Sequence, residues 1–156
     1  MSLYQKYLAS IKRWIWKTVD IDWYYNNQCV DFVRRYALDI GCPITTYWNA
    51  RWFATIWLWP NWERVDEWWV WDIVVQPRWT YWHIAVVSEI RWNTLYVHEQ
   101  NRDWKASSTT FGSPVALGKY IIRWDEVYFR PIIKKKRTPA PNPIRNGKRT
   151  NPKSTK

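Results

Sequence analysis

Apolar residues follow a helical period as far as Ile40 and a strand period from Asp72 onward, and this change of period restricts the fold more than any other feature. Residues 3–16 place Leu3, Tyr7, Ile11 and Ile15 along one helical face. A loop runs from Asp20 to Gln28. Cys29 to Ile40 then sets Cys29, Val33, Tyr36, Ala37 and Ile40 on one face, and Gly41 and Pro43 end that helix in the usual order. A short helix is expected near Asn49–Ile56. Beyond it, β-branched runs divided by turn signals predict strands at Asp72–Val75, His83–Ile90, Thr94–Gln100, Lys119–Arg123 and Glu126–Ile132. Helices first and an antiparallel meander afterwards imply an α+β fold, with the helices on one face of the sheet.

The 156 residues suit one compact domain, 1–133, followed by a tail, 134–156. The tail reads KKKRTPAPNPIRNGKRTNPKSTK, with nine Lys or Arg, no acid and almost nothing to bury, so disorder is expected of it. Since the whole chain carries +11, the body holds only about +2 and the basic character belongs to the tail. Such a tail draws its domain toward polyanions, such as anionic wall polymers or an anionic membrane, or simply keeps it soluble. No nucleic-acid readout motif accompanies it, so no specific nucleic-acid partner is expected. A monomer is expected.

No run of about eighteen apolar residues occurs, which argues against a spanning helix. The N-terminal MSLYQKYLASIKRWIWK is amphipathic and lacks the apolar core and cleavage site of a signal peptide. An exported role would then need another route, such as release by lysis. The two cysteines, Cys29 and Cys42, make no disulfide framework, and neither has the close Cys or His partner of a zinc site.

Sixteen Trp stand against four Gly, where ordinary usage near 7% would supply about eleven Gly. Trp23, Trp92, Trp104 and Trp124 fall in turns or loops between regular segments, where a positive φ is wanted and Gly supplies it most cheaply. Two readings follow. The indoles form a surface that stacks on sugar rings, or UGA codons that the source cell reads as Gly are written here as Trp.

Cys29 opens its predicted helix, where unpaired backbone N–H groups and the macrodipole favour a thiolate. A thiol nucleophile needs a base, and the chain offers two histidines, His83 and His98. If residues 83–90 and 94–101 form a hairpin about Trp92, residue 83 pairs with 101 and residue 85 with 99, give or take two positions. Alternation then puts His83, Glu99 and Asn101 on one face and His98 on the other. His83 thereby gains a carboxylate and an amide beside it, the nucleophile–base–orienter arrangement of cysteine hydrolases.

The segments Gln28-Cys29-Val30-Asp31, Trp71-Asp72-Ile73-Val74-Val75, Trp82-His83-Ile84-Ala85-Val86-Val87 and Glu99-Gln100-Asn101 resemble the CHAP domain of phage endolysins and bacterial amidases, in its order and near its spacing. The likeness runs over roughly residues 10–131. The family usually has Gly-Asp-Ile-Val and Gly-His-Ile-Ala, so Trp71 and Trp82 also stand where Gly is usual. The resemblance implies a papain-like fold and cleavage of an amide bond in peptidoglycan, by an N-acetylmuramoyl-L-alanine amidase or a peptide endopeptidase. It makes Cys29 the nucleophile and His83 the base and then the acid. Glu99 orients His83, Asn101 completes the site, and Gln28 helps the Cys29 N–H to hold the oxyanion. The alternative is a non-catalytic wall- or polyanion-binding module that uses the Trp-rich surface and the basic tail.

Asp20, Asp22, Tyr24, Asn26 and Asp31 occupy positions 1, 3, 5, 7 and 12 of a twelve-residue calcium loop that enters a helix. Several phage CHAP domains are similar here. The likeness implies Ca2+ held by the carboxylates of Asp20, Asp22 and Asp31 and the carbonyl oxygens of Tyr24 and Asn26. Tyr25 stands where such a loop has Gly, and Asp31 where it has Glu. An acidic loop that merely caps the helix is the other reading.

Overall fold

A computed structural model describes residues 1–45, 49–54, 60–78, 80–107 and 109–133. The expected tail, 134–156, and the end of the expected helix near Asn49–Ile56 lie outside the described residues. Helix α1 (Leu3–Trp14) starts from Ser2, whose hydroxyl accepts the Gln5 N–H at 3.2 Å while the Gln5 side chain accepts the Ser2 N–H at 2.8 Å. This reciprocal cap satisfies two donors that a helix start otherwise leaves open. Helix α2 (Cys29–Ile40) begins with the Asp31 carboxylate accepting the Gln28 N–H at 2.8 Å. It ends at Gly41, whose φ of 84° turns the chain out of the helix. Helix α3 (Ala50–Phe53) is a single turn.

Six strands follow: β1 (Trp62–Val65), β2 (Ile73–Gln76), β3 (His83–Arg91), β4 (Thr94–Glu99), β5 (Ala116–Ile121) and β6 (Val127–Pro131). They form one antiparallel sheet in the order β1-β6-β2-β3-β4-β5. Strand β1 was not expected. Its residues Trp62-Glu63-Arg64-Val65 are short and half polar, as suits an edge strand paired only with β6. Strand β5 begins at Ala116, earlier than the expected Lys119, because Gly118 lies within it opposite Val97.

The helices cover one face. Phe32, Val33, Tyr36 and Ala37 of α2 pack with Ile73, Val75, Ile84 and Val86 of the central strands. Alternate residues Val74, Ala85, Val87, Leu95 and Val97 form a second apolar cluster on the opposite face with Tyr128. Burial on both faces explains why β2 and β3 read as near-continuous apolar runs. Full burial of a side chain such as Phe32 contributes about 1.5–3 kcal/mol.

Cys29 and Cys42 are both free and buried. They lie at opposite ends of α2, whose twelve residues span about 18 Å, far beyond the reach of a disulfide. Among the described residues no helix is long and apolar enough to cross a membrane.

Candidate active site

Cys29 is the first residue of α2, His83 the first of β3 and Glu99 the last of β4, so three element ends converge. The β3–β4 hairpin has the expected register: Val86 pairs with His98 and Val87 with Val97, with a bulge between Val87 and Glu89. His83 and Glu99 therefore share a face. Their side chains meet at 2.7 Å, Nε2 to Oε2, and both are almost completely buried. With Nε2 engaged, the ring nitrogen left to serve the Cys29 sulfur is Nδ1. Burial disfavours a charge on His83, but hydrogen bonding and charge from Cys29 and Glu99 outweigh it and push its pKa up to about 9. At neutral pH the imidazole keeps its proton. His98 points to the helix face near Tyr7, and burial pulls its pKa down to about 4. It is therefore neutral at pH 7.

Asn101 and Gln28 meet each other. Asn101 Nδ2–H donates to Gln28 Oε1 at 3.3 Å, and Asn101 Oδ1 accepts the Ala106 N–H at 3.0 Å. Strand alternation stops at Glu99, and the φ of 55° at Asn101 turns its side chain toward the start of α2. The Gln28 amide donates to the carbonyls of Tyr25 at 2.9 Å and Ala106 at 3.2 Å.

Four supporting residues carried no role in the sequence reading. Tyr120 O–H donates to Glu99 Oε2 at 2.6 Å, so one carboxylate oxygen serves both Tyr120 and His83. Gly118 lies against Glu99, and Gly112 against Asn101; a Cβ at either would overlap that side chain. A glycine inside a strand pattern signals such a close approach, and Gly118 could have been found that way. Gln100, fully buried, accepts the Val19 N–H at 2.6 Å and donates to the carbonyls of Val19 at 2.7 Å and Gln28 at 2.9 Å. It ties together both ends of the loop that leads into Cys29.

That loop carries an acidic cluster. Ligand oxygens of Asp20, Asp22 and Asp31 all lie within 4.8 Å of one another. Asp20 accepts the Trp23 N–H at 2.8 Å, Asp22 accepts the Tyr24 N–H at 3.0 Å, and Arg34 pairs with Asp22 at 2.9 Å. Burial raises Asp31 to about 7; the Gln28 N–H opposes that rise, and Asp22 and Asp20 add to it. Tyr24 is exposed, while the Asn26 side chain reaches the carbonyls of Ser107 and Thr110, and the Asn26 carbonyl accepts the Gln28 N–H.

No known family profile and no curated protein matches the chain. Among solved structures, the crystal structure of a wild type endolysin, LysIME-EF1, superposes with a TM-score of 0.68 at 20% identity, covering 85% of this chain. The likeness is one of fold. The chain spans 65% of that endolysin's length. The shared architecture is an antiparallel sheet with helices on one face, the α+β arrangement expected from the change of period.

Proposed function

We propose that this protein is a peptidoglycan hydrolase of the CHAP type, with a papain-like fold, that cleaves an amide bond of the cell wall through Cys29. The observation that carries the reading is a buried His83, held by Glu99 at 2.7 Å and interacting with a cysteine at a helix N-terminus. In this reading the Cys29 thiolate attacks the amide carbon. The backbone N–H of Cys29 faces the developing oxyanion. Gln28 assists only when its amide leaves the carbonyl of Tyr25 or Ala106. His83 gives its proton to the departing amine, and a thioester remains on Cys29. Water then attacks the thioester carbon as His83 takes a proton from it, the C–S bond breaks to release the carboxylic acid, and the thiolate and protonated imidazole are restored. Asn101 acts through Gln28, whose side chain it holds. The substrate is peptidoglycan, the place of action is the cell wall, the protein works as a monomer, and the basic tail adds attraction to anionic wall polymers or membrane.

Cys29→Ala tests the reading: clearing of a peptidoglycan suspension is expected to vanish while the far-UV circular dichroism spectrum persists. Full clearing by that variant would remove Cys29 from the chemistry. Pelleting with walls that survives the substitution, without any clearing by the parent chain, would instead mark a binding module. Mass spectrometry of the digest identifies the bond cut.

The same reading includes Ca2+ in the acidic loop. The three carboxylates converge, and Tyr25, sixth in the loop, has the φ of 60° that the sixth position of a calcium loop requires. Asp20, Asp22 and Asp31 would hold the ion by carboxylate, Tyr24 and Asn26 by carbonyl. Bound Ca2+ would neutralise the cluster and stiffen the entry to α2. Chelation is expected to lower the melting temperature and the clearing rate, with recovery on adding Ca2+ but not Mg2+. A melting temperature indifferent to chelator would exclude the ion.

A further inference from the structure

Among the described residues nine non-glycine residues have positive φ, and six of them are tryptophans: Trp16 (65°), Trp23 (60°), Trp71 (77°), Trp82 (60°), Trp92 (55°) and Trp104 (58°). Twelve of the sixteen tryptophans lie among the described residues, so half of those twelve sit in a region that non-glycine residues enter a few per cent of the time and bulky ones less. The remaining three are Asn26 and Asn101, a type that tolerates this region, and Tyr25.

Each of the six stands where the backbone calls for glycine. Trp16 follows the C-cap Ile15 of α1, the usual place of the helix-ending glycine. Trp92 is the first residue of the two-residue β3–β4 turn; a positive φ there alone is the pattern that prefers glycine first. Trp71 and Trp82 immediately precede the Asp72–β2 and β3 segments, and Trp23 and Trp104 lie in the loops that flank the site. Trp16, Trp23 and Trp92 are exposed by 73%, 86% and 101%, so their indoles gain nothing by burial. Tryptophans outside this set behave differently. Trp62 is buried and donates to the Cys42 carbonyl at 2.8 Å, and Trp14 donates to Asp39 at 2.7 Å.

One of the six borders the site. The Trp104 ring lies edge-on to the His83 ring, with centroids 5.3 Å apart, over a histidine that is 1% exposed beside a cysteine that is 5% exposed. The indole, itself 37% exposed, thus occupies the surface beside the imidazole.

We propose that the working protein carries glycine, not tryptophan, at positions 16, 23, 71, 82, 92 and 104, with the source cell reading UGA codons there as glycine, and that the space freed at 104 is the approach to Cys29 and His83. The statement about access rests on the hydrolase reading; the statement about residue identity does not.

The test compares the full chain as written with the full chain bearing all six Trp→Gly substitutions, together with Trp104→Gly alone and the control Trp62→Gly. The six-fold variant is expected to melt higher by roughly 10 °C or more, from relief of backbone strain. Trp62→Gly is expected to melt lower. Iodoacetamide alkylation of Cys29, mapped by peptide mass spectrometry, is expected to speed up by about tenfold in Trp104→Gly, because thiol reactivity follows access. Peptides of the protein made by its own source are expected to carry glycine at the six positions. Tryptophan in those peptides, or a six-fold variant that melts lower than the written chain, would overturn the proposal. Unchanged alkylation would overturn its statement about access. A stabilised, more reactive variant that clears no peptidoglycan would leave this inference standing and sink the hydrolase reading.

Discussion

Glu99→Gln isolates the electrostatic heart of the site, because the replacement keeps the shape and the Tyr120 contact while removing the charge. In the parent, Cys29 and Glu99 overcome the cost of burial and lift His83 from 6.5 to about 9, which corresponds to about 3 kcal/mol of differential interaction. A raised folded-state value means that this stabilisation is fully present below pH 6.5 and is lost as pH rises through 9. Between those limits His83 itself holds up to one more proton in the folded state than in the unfolded state, a contribution of up to about 1.4 kcal/mol per pH unit that a thiolate at Cys29 offsets in the net proton count. Other buried groups act mainly on the acid side, Asp72 among them, raised by burial. His98, held down to about 4, makes stability fall as pH drops below 6.5, whereas Asp31, raised to about 7, makes it rise. Burial raises the Cys42 thiol, which adds to the decline only at higher pH. Net stability between pH 7 and 8.5 therefore does not isolate His83, and its protonation is read directly from the NMR titration of the imidazole. The midpoint of that titration is expected near pH 9 in the parent and lower in Glu99→Gln, with clearing activity reduced at least tenfold in the variant. A parent imidazole that titrates near 6.5 would refute a protonated His83, and an equal midpoint in the variant would refute Glu99 as a cause.

Gly118→Ala should drive a methyl group into the Glu99 carboxylate, costing about 1–3 kcal/mol of stability and displacing the carboxylate from His83. Urea melts and clearing rates check both effects, and an active, fully stable variant would show that the strand has room. Gln100→Ala should leave the Val19 N–H and carbonyl short of a buried partner, at about 1–3 kcal/mol each where water does not replace it, while the Gln28 carbonyl keeps the Asp31 N–H. Hydrogen exchange should then quicken at Val19 and through residues 20–28, and unaltered exchange there would deny Gln100 its role as a tie.

What the chain order revealed and what it hid divide along a physical line. Helix α2 and the facing of His83 with Glu99 were legible because both follow from local periods, 3.6 in the helix and 2 in a hairpin closed by a two-residue turn. The Asn101 bond to Gln28 was not legible, because the period of 2 ends with the strand and Asn101 has a positive φ. Strand β1 and the return of β6 to β2 depend on pairings between distant segments, to which local pattern is blind. Among tryptophans in presumed turns, Trp23, Trp92 and Trp104 do have positive φ; Trp124 does not, and Trp16 was overlooked because the helical pattern was read through Ile15 to residue 16.

The support of Glu99 by Tyr120 and Gly118 was hidden for a related reason. Both lie on β5, whose register against β4 is set across the long connection 100–115 rather than by a tight turn. Once Glu99 is paired with Ala116, Gly118 is its diagonal neighbour on the same face, and the absence of a side chain there becomes the space the carboxylate occupies. Two of the chain's four glycines, Gly112 and Gly118, thus make room for site residues, and Gly41 ends the helix that presents Cys29. A chain that places its few glycines so economically, yet puts indoles at six positive-φ positions, is inconsistent chiefly in one residue type. When those six are read as glycine, Tyr25 is the one bulky residue left with a positive φ among the described residues.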